Sequence, residues 1–180
     1  MKAQEFQHKV LPLHRKIYPF AFRILQNKEE AEDTVQEIFV KLWNMRYELN
    51  GIRNLEAFTM SMTRNFCLDR LKKRKTMSFD DGMMRNQGVW DDNPAKQTEL
   101  KDAVNLVRRI INELPEQQRM IIQLRDIEGY TNDEITTILD ISHNNLRVNL
   151  SRARQKIREN LLKTYNYGQE ENRGSFTKVL

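Results

Sequence analysis

The chain has 180 residues, of which 31% are charged, and only six glycines and four prolines interrupt it. This composition favours helices over strands, and the length permits one or two domains, so we expect an all-α protein. The single cysteine excludes an internal disulfide, and no secretory signal or apolar run of about 18 residues is present, which indicates a cytoplasmic protein without a membrane span.

Two amphipathic helices are predicted at the start of the chain. Apolar residues between Phe6 and Leu25 recur every three or four positions, and Pro12 predicts a break because it removes an amide donor. A bend at Pro19 is compatible with the same pattern. The second helix follows Asn27, a suitable N-cap, with Glu30 at the capping-box position.

The second helix carries an unusual concentration of acid. Acidic residues in its first turn complement the positive end of the helix dipole. This explanation does not extend to Gln36 and Glu37, which lie farther along the helix. A solvated face is the simplest alternative for them.

A loop between Asn44 and Asn54 precedes a third helix, predicted over residues 55–75. Its apolar start leads into a basic cluster of local net charge +5, which suggests contact with phosphates. Residues 76–101 lack an apolar stripe and are rich in aspartate, as is typical of a flexible acidic linker.

Four helices are predicted over residues 102–165, followed by a tail over 166–180. Thr131 with Glu134 forms a capping box for the third of them, and Ser142 caps the fourth. The short turn between these two helices is typical of a helix-turn-helix, whose second helix recognises bases in the major groove.

The exposed positions of this recognition helix suit base recognition. Arginine can bond guanine and asparagine can bond adenine through two hydrogen bonds, and a second basic cluster of net +5 covers residues 143–163. A purely structural helix pair is the alternative. The predicted DNA-binding residues are Asn144, Asn145, Arg147, Val148, Ser151, Arg152 and Arg154.

No catalytic constellation is evident. The three histidines lie in separate segments without ligand spacing, so neither a metal site nor a cofactor is expected. Cys67 lies among apolar residues and is expected to be buried rather than nucleophilic.

Five segments resemble extracytoplasmic-function (ECF) sigma factors of the sigma-70 family. Residues 31–43 (AEDTVQEIFVKLW) are similar to the second conserved region, and residues 64–70 (RNFCLDR) to the helix that melts the promoter and recognises the −10 element. The segments from Leu114 to Arg119, Glu134 to Ile135 and Leu146 to Arg154 resemble the −35-recognition domain. The order of these segments is that of the family.

The resemblance implies a role for each segment. Asp33, Gln36 and Glu37 would bind core RNA polymerase, the loop 44–54 would capture a flipped base, and an anti-sigma factor would silence the chain. Asn65 and Asp69 could instead be local packing groups. The residues implied at the −10 element are Arg64, Asn65, Arg70, Lys72, Lys73 and Arg74.

Four positions depart from the family pattern: Thr136, Asp140, Leu146 and Asn149. Asp140 replaces the turn glycine, and aspartate tolerates left-handed backbone better than most residues, so we expect the turn to form. The departures affect the expected promoter sequence rather than the fold.

The sequence therefore predicts a non-enzymatic transcription-initiation factor with domains at 1–75 and 102–165, which binds core polymerase and promoter DNA. A stand-alone helix-turn-helix regulator that dimerises would explain only the C-terminal half. A nucleic-acid-modifying enzyme would need a nucleophile or metal cluster that the sequence lacks.

Overall fold

The computed structural model describes residues 1–77 and 99–176, with side chains described for 1–74, 76 and 104–164. These parts of the chain are helical and contain no strand, and they form two compact units, which agrees with the predicted fold class. Most of the predicted linker lies outside the described residues. None of the described helices is long and apolar enough to cross a membrane.

The first unit contains four α-helices. The predicted break at Pro12 is confirmed, because Leu11–Leu13 forms a short 3₁₀ helix between the first two. The helix that follows this break passes through Pro19 and ends at Leu25, and its C-cap Gln26 has a left-handed φ of 53°. The bounds are α1 Ala3–Lys9, α2 His14–Leu25, α3 Lys28–Asn44 and α4 Leu55–Met77.

The core of the first unit lies between α1, α2 and α3, with α4 packed against it. Ile17, Ile38 and Leu42 are completely buried there. A 3₁₀ helix at Glu48–Gly51, which the sequence did not predict, adds Leu49 to this core. The loop 44–54 is therefore anchored by an apolar side chain.

The second unit also contains four α-helices, as predicted. Its core includes Ile111, Leu114, Ile122 and Ala153, and the last helix also packs Leu150 and Ile157 against it. That helix continues past residue 165, where a tail was expected to begin. The bounds are α5 Glu99–Asn112, α6 Glu116–Ile122, α7 Asn132–Leu139 and α8 His143–Phe176, with a π-helical turn at Gln123–Ile127 after α6.

The predicted helix caps are present. The Asn27 side chain accepts from the Glu30 amide at 3.0 Å, and Ser142 accepts from the Asn145 amide at 3.2 Å. Thr131 and Glu134 form a reciprocal box, with a bond of 2.7 Å from the Thr131 amide to the Glu134 carboxylate. These bonds satisfy amides that the first turn of a helix leaves unpaired.

The turn of the helix-turn-helix also forms as predicted. Asp140 has a φ of 51°, and the Ile141 amide donates to the Thr136 carbonyl at 3.2 Å. Together these features make a Schellman motif, in which a left-handed residue ends the helix. The C-terminal unit thus presents α8 as the second helix of a helix-turn-helix.

Candidate protein-docking and nucleic-acid interfaces

An acidic face runs along α3. Asp33, Gln36 and Glu37 are exposed and lie three and four residues apart, so they share one side of the helix, while Ile38 and Leu42 face the core. Val40 continues this side with 61% of its surface exposed. We call Asp33, Gln36, Glu37 and Val40 the acid face. They line a groove with Lys41, Asn44 and Phe66.

Ion pairs connect the acid face to α4. The Arg70 guanidinium lies 2.5 Å from the Glu37 carboxylate and 3.9 Å from that of Asp33. Its side chain is only 23% exposed, although the sequence predicted it to face DNA. Farther along the helix, Arg74 lies 3.6 Å from Glu30. One predicted DNA contact and two predicted polymerase contacts therefore meet at one place.

The other predicted −10 residues lie along the exposed side of α4. Asn65, Lys72 and Lys73 are exposed, and Lys72 lies 3.7 Å from Asp69. Arg64 is partly exposed and donates a long bond of 3.5 Å to Asn65. The exposure of Asn65 and Asp69 argues against their being packing groups. The helix presents its cations to solvent, as phosphate binding requires.

Cys67 is on the buried side of α4. It is completely inaccessible, and burial raises the pKa of its thiol to about 12. Because a thiol must lose its proton to react as a nucleophile, this environment suppresses nucleophilic chemistry. The expectation of a small buried residue is confirmed.

An aromatic cluster at the end of α3 was not singled out from the sequence. Trp43 and Tyr47 are 40% and 70% exposed, and the Arg46 guanidinium lies 4.5 and 4.3 Å from their ring centroids. Exposed rings with a cation nearby form a surface on which unpaired bases stack. The sequence shows which residue types are present but not that their side chains stack on one another. The cluster was therefore not predicted.

The predicted −35 residues lie on the exposed surface of α8. Asn144, Arg147 and Arg152 are exposed at its N-terminal half, whereas the departure at Leu146 is completely buried and belongs to the core. Asn145 accepts from Asn149 through its carbonyl at 3.0 Å and through its side-chain oxygen. The remaining predicted contacts, Val148, Ser151 and Arg154, are exposed as well.

Arg154 has a partner on another element of the unit. Its Nε and Nη2 atoms donate to the two carboxylate oxygens of Asp126 at 3.1 and 2.6 Å. This hydrogen bonding raises the pKa of the guanidinium, so Arg154 stays charged. Asp126 belongs to the π-helical turn after α6, so the pair joins that turn to α8.

The described side chains include no group of three histidine, cysteine, aspartate or glutamate residues that could hold a metal ion. The described side chains include the acid face of α3, exposed cations along α4, an aromatic cluster at the end of α3 and exposed polar side chains on α8.

Two family models match the chain, one in its N-terminal part and one in its C-terminal part. Residues 10–76 match sigma-70 region 2, and residues 105–157 match sigma-70, region 4. Among curated relatives, the ECF RNA polymerase sigma factor SigX of Bacillus subtilis (strain 168) is 24% identical over 156 residues, covering 82% of this chain and 79% of SigX. SigW of the same strain is 26% identical over 158 residues, covering 81% and 83%.

Solved structures show the same fold. The sigma factor RpoE, solved in complex with the anti-sigma factor NepR from Bartonella quintana, has a TM-score of 0.71 at 22% identity, with 88% of this chain and 98% of that chain covered. CnrH, solved with the cytosolic domain of CnrY, has a TM-score of 0.59 at 18% identity, with coverages of 91% and 90%.

Proposed function

Because the chain belongs to the sigma-70 family, we propose that it is an ECF-type transcription initiation factor that directs core RNA polymerase to promoters through −10 and −35 elements. The observation that carries this function is the match of region 2 and region 4, in that order, to the two units of one chain.

The acid face is the proposed polymerase-binding surface. Asp33, Gln36 and Glu37 point away from the core, and exposed Val40 adds apolar area beside them. Charged and apolar groups on one exposed helix side suit a protein partner, because charge steers association and apolar burial holds the complex. DNA would be repelled from this face.

The −10 element is assigned to α4 and the aromatic cluster. Arg64, Asn65, Lys72, Lys73 and Arg74 would bind phosphates of the melted strand, and Trp43 and Tyr47 offer rings to unpaired bases. Extruding a base costs a few kcal/mol, which such pocket contacts offset. Arg70 can join them only by leaving Glu37.

The −35 element is assigned to the N-terminal half of α8. Asn144, Asn145, Arg147, Val148, Ser151 and Arg152 would enter the major groove, where each two-bond contact discriminates bases by about 1–3 kcal/mol. The Schellman turn at Asp140 sets the angle at which this helix leaves α7.

Regulation and location follow from the same assignment. An anti-sigma factor would cover the acid face or the DNA surfaces, and the complex of RpoE with NepR supports this kind of control. The chain would act in the cytoplasm, where polymerase and promoters are, and would perform no catalysis of its own.

A dimeric helix-turn-helix regulator is the main alternative. It would use α7 and α8 but would give no purpose to the acid face or to the match with region 2. Tight binding of a palindromic duplex without polymerase would favour it.

The test of the proposed function is binding to core polymerase by an Asp33→Lys variant. Asp33 is the better choice than Glu37, because it lies 3.9 Å from Arg70 rather than 2.5 Å and its reversal perturbs the fold less. Fluorescence anisotropy with labelled chain should show at least about tenfold weaker binding, as expected for a charge placed against its complement.

Glu32→Lys is the matched control. Glu32 is the exposed acid directly before Asp33 in the sequence, and its contact to Lys28 is 3.9 Å long. It should keep nearly the wild-type affinity. Equal weakening of polymerase binding by both variants would show that net charge alone causes the effect. Unchanged polymerase binding by Asp33→Lys would contradict the assigned surface.

A further inference from the structure

Arg154 and Asp126 form a two-point ion pair in the second unit. Both carboxylate oxygens and two guanidinium nitrogens take part, at 2.6 and 3.1 Å. A planar guanidinium held at two points fixes direction as well as distance. The pair spans residues far apart in sequence, so it acts between elements rather than within a helix.

Asp126 is presented by a rigid segment. Within the π-helical turn, the Glu128 amide donates to the Gln123 carbonyl at 3.0 Å, and the Tyr130 amide donates to the Leu124 carbonyl at 2.9 Å. Arg125 adds a bond of 2.7 Å from its side chain to the Tyr130 carbonyl. The carboxylate therefore projects from a segment whose path is set by several backbone bonds.

Arg154 is at the edge of the buried side of α8. At about 100° per residue, it falls about 80° from Leu146 and about 100° from Ala153, on the line that passes through Arg147 and Ser151. Leu146 and Ala153 are completely buried on that side, and the partly buried Leu150 and Ile157 pack with Ala153. The two-point pair adds a polar constraint at the edge of this apolar side, where it opposes rotation of the helix about its own axis.

We propose that Arg154 is a positioning residue, which fixes the rotation of the recognition helix through Asp126 and so aims Arg147, Val148 and Ser151 at the −35 bases. This role replaces the direct DNA contact that the sequence predicted for Arg154. The inference rests on the proposed function, because it concerns recognition of the −35 element.

The two roles predict opposite effects for Asp126→Asn. If Arg154 bound a phosphate, removing Asp126 would free the arginine and remove a negative charge near DNA, so binding would improve. If Arg154 positions α8, the same change weakens the two-point pair and impairs −35 recognition. The sign of the effect therefore separates the two roles.

The experiment measures binding of holoenzyme, made with core polymerase, to a promoter with an intact or a scrambled −35 element. Asp126→Asn should lower the ratio of the affinity for the intact element to that for the scrambled element at least about fivefold. A loss of this size is smaller than or similar to the discrimination that one base contact provides. Glu113→Gln is the control, since it removes an exposed acid from the same unit and lies outside the residues assigned to DNA. It should leave the ratio unchanged.

An exchange variant, Asp126→Arg with Arg154→Asp, guards against a simple loss of folding. Positioning predicts that the exchange recovers most of the −35 ratio lost in either single variant. A phosphate contact predicts the weakest binding of all, because an aspartate would then face the DNA backbone. In addition, Arg154→Gln should leave the slope of log K against log salt unchanged, whereas loss of a phosphate contact would reduce it by about 0.9.

Wild-type or stronger −35 recognition by Asp126→Asn would overturn the positioning role. The failure of the wild-type holoenzyme to prefer the intact promoter would instead contradict the proposed function. The two failures are therefore distinguishable in one set of measurements.

Discussion

Asp140 illustrates how much a single residue decides in the C-terminal unit. It takes the left-handed conformation at φ 51°, in a turn where the family pattern has glycine. Its side chain is exposed, so the left-handed backbone conformation, and not a packing contact, determines which residues fit this position. The sequence predicted this geometry because aspartate is among the few residues that adopt it.

Substitution at Asp140 should therefore follow backbone preference. Asp140→Val is expected to lower the free energy of unfolding by about 1–2 kcal/mol, since a branched residue resists the left-handed region, whereas Asp140→Gly should be neutral or stabilising. Urea unfolding followed by circular dichroism measures both. Equal destabilisation by valine and glycine would show that the carboxylate matters rather than the backbone.

Cys67 gives a pH-dependent prediction at the same scale. Burial raises its pKa from the ordinary 9.0 to about 12, so the folded state keeps the thiol protonated where the unfolded chain would ionise. The contribution to stability is complete below the unfolded pKa and is lost as the pH rises through 9.0 toward 12.

The native chain should accordingly resist a thiol reagent at about pH 8 and react fully in guanidinium, where the thiol is exposed. The absorbance of the thiolate that the reagent releases on reaction measures the rate. Rapid stoichiometric reaction of the folded chain would contradict the buried environment.

At the scale of helices, the contact between α3 and α4 joins the two surfaces proposed for the first unit. Arg70 pairs with Glu37 and lies 3.9 Å from Asp33, so a basic residue assigned to DNA is a neighbour of two acids assigned to polymerase. A polymerase that binds Glu37, as proposed, would compete with Arg70 for the same carboxylate. The two assignments are therefore coupled.

The interaction energy between Glu37 and Arg70 can be measured by a double-mutant cycle with Glu37→Gln and Arg70→Gln. Because the Glu37 side chain is 52% exposed, solvent screens the pair, and an interaction of about 0.5–1 kcal/mol is expected. It should shrink at high salt. Urea unfolding at two salt concentrations provides the values, and a salt-independent term above about 2 kcal/mol would contradict a screened surface pair.

The helices show which features a sequence can predict. Caps at Asn27, Thr131 and Ser142 and the break at Pro12 depend on residues a few positions apart, so local spacing predicted them. The π-helical turn at Gln123–Ile127 and the 3₁₀ helix at Glu48–Gly51 were not predicted, because tertiary packing selects these rarer forms. The pairs of Arg70 and Arg154 join different elements, and spacing along the chain does not reveal such partners.

For the whole molecule, the acid face and the two basic surfaces describe an adaptor between polymerase and promoter. The polymerase and −10 residues were predicted from the family resemblance, and the −35 residues from the helix-turn-helix pattern. The structure adds their exposure and their partners. Association with DNA should weaken steeply with salt, because several cations would each release counterions. The function therefore depends on both units together with polymerase.

The most direct measurement of this claim is run-off transcription with purified core polymerase on a promoter library randomised at two blocks upstream of the start site. We predict that transcripts appear only when the chain is added, and that the templates recovered share two short motifs at a fixed separation. A lack of transcripts with a core polymerase that is active with another initiation factor would contradict the account. So would recovery of a single palindromic motif that the chain binds without polymerase.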